Sequence, residues 1–163
     1  MKNILKTLAL IAMSTAMIGF ASCEKNTDDT PAYAIHYNGA AMAADATIDI
    51  QPNLIETQND FASIDLLLEN KTSDNLSTCI KVEMLEGPDA MKDLMICYGT
   101  TCKNPTCPWT SDAFTLTPGV NENMAIKFDY APSKVTTKTV YRMTVGKAGS
   151  LDNSQTLLIS ITA

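Results

Sequence analysis

Three cysteines stand at equal intervals in Cys97-x4-Cys102-x4-Cys107, with Cys79 as a fourth upstream. Thiolates bind zinc or copper tightly, so these three with Cys79 describe one way to build a tetrahedral metal site. The spacing argues against it, because structural zinc ligands favour close pairs, and four residues between successive ligands is atypical. No Cys-x-x-Cys occurs, so thioredoxin-like exchange and haem attachment both lack their motif. Oxidation is the competing chemistry: in an oxidising compartment the same thiols pair as disulfides.

The other reactive side chains point to no reaction. His36 is the one histidine, and it alternates onto the face opposite Tyr33, Ile35 and Tyr37, toward solvent. A lone imidazole cannot build a histidine triad, and no Gly-x-Ser-x-Gly or His-Glu-x-x-His string is present. Among 18 aspartates and glutamates no pair is singled out by spacing. No catalytic residue is therefore assigned. Asp28-Asp29 and Asp45 with Asp49 lack the Asp-x-Asp-x-Asp-Gly pattern of a calcium loop and read as solvated acids. Met84, Met124 and Met143 fall on apolar faces, where packing accounts for them better than copper. Neither a metal nor a cofactor is expected. Trp109, the single tryptophan, sits in Cys107-Pro108-Trp109-Thr110. It is a candidate binding anchor for protein or sugar, or a lid over the end of the domain.

The elements that position these residues alternate with period 2 from residue 33 onward. Tyr33, Ile35 and Tyr37 alternate before Asn38-Gly39, a strong hairpin dipeptide. Ile64, Leu66 and Leu68 share one face, and Ile80, Val82 and Met84 another, closed by Gly87-Pro88. Met124, Ile126, Phe128 and Tyr130 form the cleanest strand, with Phe128 at its middle. Tyr141, Met143 and Val145, then Leu157, Ile159 and Ile161, finish the chain. Residues 89–94 are the one helix candidate. About seven to nine short strands separated by turns predict an all-β fold, an immunoglobulin-like antiparallel β-sandwich.

The chain has 163 residues, 45% hydrophobic and 18% charged, which excludes a disordered or low-complexity protein. A net charge of −6 argues against nucleic acid as partner. Lys2 and Lys6 precede an apolar run over residues 8–20, too short to span a bilayer but suited to a secretory signal. The string Phe20-Ala21-Ser22-Cys23 resembles a bacterial lipobox, with Phe20 in place of the usual leucine. That resemblance implies a lipoprotein signal peptide over residues 1–22 and a lipid on Cys23. Removing residues 1–22 takes away Lys2 and Lys6 and no acid, so the net charge passes from −6 to −8. Residues 23–32 lack apolar periodicity and read as the lipidated cysteine and a solvated tether. Residues 33–163 form the sandwich domain. Lys25 ahead of Asp28 and Asp29 resembles the surface-export signal of Bacteroidetes lipoproteins, and equally fits a merely soluble linker.

With Cys23 lipidated, four cysteines remain, and an even number in an exported chain implies two disulfides. Cys79 and Cys97 alternate onto faces opposite the core, so neither is placed for a buried bridge between sheets. Cys97 and Cys102 flank Tyr98-Gly99-Thr100-Thr101, a connection of hairpin length. The expected map is Cys97–Cys102 with Cys79–Cys107; its rival is Cys79–Cys97 with Cys102–Cys107.

Residues 61–163 resemble immunoglobulin-like accessory domains of secreted Bacteroidetes proteins. The likeness is carried by Cys97-Tyr98-Gly99-Thr100-Thr101-Cys102, by Phe114-Thr115-Leu116-Thr117-Pro118-Gly119 and by the strands ending at Tyr130 and beginning at Tyr141. Together with the lipobox-like Phe20-Ala21-Ser22-Cys23 it implies a Bacteroidetes-type outer-membrane lipoprotein, either periplasmic or surface-facing. The expected role is non-catalytic: a binding, adhesion or accessory-assembly module. Its partners would be the membrane, through Cys23, and a protein or glycan. The alternative is an envelope metal- or redox-handling protein using Cys97, Cys102 and Cys107.

Overall fold

A computed structural model describes residues 31–50, 62–87, 95–130 and 137–162, the side chains of 62, 123–125 and 128–130 excepted. The helix candidate at 89–94, the signal and lipid segments with Cys23, and the side chains of Met124, Phe128 and Tyr130 lie outside the described residues. Twelve strands run through the rest: β1 (Tyr33–Tyr37), β2 (Ala40–Ala41), β3 (Ala46–Ile50), β4 (Ala62–Asn70), β5 (Leu76–Glu86) and β6 (Met95–Tyr98) come first. They are followed by β7 (Thr101–Lys103), β8 (Trp109–Thr110), β9 (Phe114–Leu116), β10 (Gly119–Tyr130), β11 (Thr139–Lys147) and β12 (Gln155–Ile161).

The strands form two sheets, in the orders β2-β1-β4-β10-β6-β7 and β3-β12-β11-β5-β8, with β9 also paired to β5. Each sheet turns one face inward. Ile35, Leu66 and Ile126 from the first sheet and Val82, Met143 and Ile159 from the second are fully buried in one cluster. The period-2 pattern is thus the signature of a sheet with one dry face. The arrangement is an immunoglobulin-like sandwich: consecutive strands distribute between two facing sheets, and the chain crosses from one to the other several times.

One pairing departs from the antiparallel rule. After the β1–β2 hairpin the chain leaves the first sheet, and β3 joins the edge of the second, parallel to β12 with Ile48 opposite Ile159. The turn chemistry that permits this is local. Asn38 (φ 51°) and Gly39 (φ 78°) are both left-handed, as a two-residue hairpin turn requires, and Tyr37 pairs directly with Ala40. Asp45 is left-handed too (φ 57°) and redirects the chain into β3.

Candidate functional site

Cys97 and Cys102 face each other across the β6–β7 hairpin and form a disulfide, with their Cα atoms 4.0 Å apart. Tyr98 pairs with Thr101 around a two-residue turn in which Gly99 is left-handed (φ 56°). The next pair outward is therefore a non-hydrogen-bonded pair, where opposed Cα atoms approach most closely. Cys97 lies on the outer face of its sheet, because Ile96 and Tyr98 on either side point into the core.

The second expected bridge does not form: Cys79 and Cys107 are both free thiols. The sheet itself stands between them. On β5, Ile80 and Val82 face the core, so Cys79 faces outward, opposite Gly146, with its thiol 3.9 Å from the Lys147 carbonyl oxygen. β8 lies against β5 with Trp109 opposite Val82, which puts Trp109 on the core side. Cys107, two residues earlier, packs against the same core cluster. The rival map fails as well, since Cys97 is joined to Cys102. A disulfide also withdraws two of the three thiols from the proposed metal or redox cluster. Among the described residues no three potential ligands converge.

Trp109 closes the seam between the sheets. Its ring lies 6.1 Å from that of Tyr98 at 51°, and Tyr98 in turn lies 5.4 Å from Phe114. Tyr98 belongs to β6 of the first sheet, while Trp109 and Phe114 belong to strands paired with β5 of the second. Tilted aromatic contacts of this kind add about 0.5–1.5 kcal/mol beyond the area they bury. The indole thus lies along the edge of the sandwich, half-buried, with its exposed part left for a partner.

The fold moves its internal acids in one direction. Burial pushes the Cys107 thiol up. Burial, and then the neighbouring Cys107, raise Tyr141 well above the usual phenol range. Burial, followed by the charge of Asp112, raises Tyr98. Each group is thus held in its protonated, inert form. A raised folded-state pKa contributes stability that is present below the unfolded value and lost above it. Stability should therefore be flat through neutral pH and fall as pH rises past about 9 to 10, where unfolded Cys and Tyr ionise. Urea titrations at pH 7 and in the alkaline range check this, and equal midpoints would contradict it.

His36 is less free than its alternation alone suggests. It does lie on the outer face, but its Nε2 is 2.7 Å from Glu69 Oε2, and both side chains are partly buried. The partner was invisible from the sequence because it lies 33 residues away, brought close by the pairing of β1 with β4. Asp45 and Asp49 are exposed, as solvated acids should be.

These assignments predict a thiol count. In a chain with Cys23 replaced by Ala, unfolded without reductant, two thiols per chain should react, rising to four after reduction. None before reduction would mean that Cys79 and Cys107 are joined; four would mean that the hairpin disulfide is missing.

No protein-family profile and no curated protein matches the chain. Among solved structures, the N-terminal domain of PorA superposes with a TM-score of 0.59 and 15% identity, covering 80% of this chain and 96% of that one. An ASH/PapD-like domain of human CEP192 superposes with a TM-score of 0.41 and 9% identity, covering 99% and 97% of the two chains. At such identity the PorA likeness speaks to the fold alone.

Proposed function

We propose that this chain is a non-catalytic binding or accessory module of the bacterial cell envelope, held at the outer membrane by a lipid on Cys23. The observation that carries the non-catalytic reading is the state of the interior. Among the described residues, aliphatic and aromatic side chains occupy both inward faces, and the groups whose proton affinity the fold alters are driven toward their neutral forms. Catalytic groups are tuned toward the working pH instead, with nucleophile and base in reach of each other. The immunoglobulin-like sandwich supports a role in binding or assembly, and the lipobox-like string supports the anchor.

The test is Cys23→Ala. Without the thiol there is nothing to lipidate, and the apolar run over residues 8–20 is too short to span a bilayer. The variant should leave the membrane fraction and appear in the soluble fraction. Retention in the membrane fraction would overturn the anchor.

A further inference from the structure

A cleft of about 330 Å³ opens at one end of the sandwich, at the small end of the range for small-molecule sites. Ala32, Tyr33 and Leu76 supply its apolar share, while the β4–β5 turn brings Thr72 and Asn75. The β11–β12 turn brings Lys147, Asp152 and Asn153 to the same cleft.

These walls are fixed by the fold. The Thr72 hydroxyl and N–H both donate to Asn70 Oδ1, and Asn70 is buried. The β11–β12 turn holds three left-handed residues, Gly149, Leu151 and Asn153. Leu151 N–H donates to the Lys147 carbonyl at 2.8 Å, and Ala148 N–H donates to the Ser77 carbonyl on the neighbouring wall at 2.9 Å. Leucine adopts φ 58° only where the surroundings impose it. Gly146 lies beneath the turn, where a Cβ would come within 3.0 Å of the Leu151 backbone.

Four polar side chains of the cleft are unspent. Among the described residues, the side chains of Asn75, Lys147, Asp152 and Asn153 make no hydrogen bond and no ion pair. Lys147 and Asp152, opposite in sign, line one cleft without pairing.

We propose that this cleft binds a neutral, hydroxyl-rich ligand the size of one or two sugar rings. Two amides, an ammonium and a carboxylate supply donors and acceptors in mixed order, which suits hydroxyls that donate and accept at once. A phosphate would meet Asp152, and a metal cation would meet Lys147, so the charges select against both. The apolar lining from Ala32, Tyr33 and Leu76 suits the C–H face of a sugar ring. This proposal rests on the binding-module reading and names its ligand class.

The experiment titrates the full chain with glucose, galactose, mannose and N-acetylglucosamine, read by ¹H–¹⁵N correlation spectra. At least one sugar should give saturable shifts centred on Asn75, Lys147, Asp152 and Asn153. Asn75→Ala and Asp152→Ala, both at exposed positions, should each weaken that binding about tenfold or more with unchanged melting temperature. Lys127→Ala should leave it alone. Shifts from inorganic phosphate or calcium chloride at these residues in place of the sugars would overturn the ligand class. Sugar shifts centred on Trp109 would overturn the cleft while leaving the binding-module reading standing. No shift with any of the four sugars would overturn the proposal, and the Cys23→Ala fractionation would still test the anchor separately.

Discussion

Replacing Ile126 by Ala should cost about 2–5 kcal/mol of stability, while Lys127→Ala beside it should cost under about 0.5 kcal/mol. Ile126 is fully buried, paired with Leu66 on one side and Tyr98 on the other, in the middle of the first sheet. Its removal loses the transfer free energy of the missing atoms and leaves a cavity between two sheets that cannot close over it. Lys127 alternates to the outer face. Its Nζ stands 3.7 Å from Asp65 Oδ1, with both side chains more than half exposed, and such surface pairs contribute little. Ile126→Val, which removes one methylene, should fall near 0.5–1.5 kcal/mol and keeps the series readable if the alanine variant fails to fold. Urea titration gives all three numbers. Equal losses at 126 and 127 would mean that the strand is out of register, because a one-residue slip exchanges the two faces.

The position matters for a second reason. The register between β10 and β4 shifts between Asn121 and Ile126, so Ile126 is where regular pairing resumes. Alternation in the sequence announced a regular strand from Met124 to Tyr130, and it could not announce the irregularity ahead of Ile126. A bulge is set by the partner strand and by the turn before it. Here Asn121 closes that turn, its amide donating to the Thr117 and Gly119 carbonyls while its oxygen accepts from Thr117.

What the sequence made legible follows the same physics throughout. A half-buried strand must alternate, so Tyr33/Ile35, Leu66/Leu68 and Leu157/Ile159 could be read residue by residue. Asn38-Gly39 and the Cys97–Cys102 hairpin were readable because a two-residue turn and its neighbouring pair are decided by residues close in the chain. Long-range pairing was not readable. The parallel docking of β3 on β12 depends on the chain changing sheets at Asp45. Cys79 and Cys107 looked like partners by elimination, and only the docking of β8 on β5 reveals that they lie on opposite sides of one sheet. The cleft was hidden for the same reason, since its polar residues come from two turns far apart in sequence. Each of those turns read as ordinary loop chemistry on its own.

Asn70→Ala should destabilise the domain by roughly 2–4 kcal/mol, an effect more usual for a core aliphatic than for an amide. Asn70 ends β4 and is 1% exposed. Its Nδ2 donates to the Asp74 carbonyl at 2.7 Å and to the buried Leu116 carbonyl at 3.1 Å. Its Oδ1 accepts from Thr72 N–H at 2.9 Å and Thr72 Oγ1 at 2.8 Å. One side chain therefore shapes the β4–β5 turn and ties it to β9. Alanine removes all four bonds and leaves the Leu116 carbonyl buried without that donor, which is costlier than losing both partners together. Asn70→Asp separates the two halves of the network. It keeps the acceptor for Thr72 but turns a carboxylate toward two carbonyl oxygens, so the folded state should raise the pKa of the new carboxyl above the usual ~3.9. The stability deficit of Asn70→Asp should then be smallest below about pH 4 and grow as pH rises toward the raised value. Urea midpoints at acid and neutral pH, each compared with the unsubstituted chain, test this. A pH-independent deficit for Asn70→Asp, or an alanine variant within about 0.5 kcal/mol of the parent, would show that the amide does not hold the turn. In that case the Thr72 wall of the cleft would also lose its fixed position.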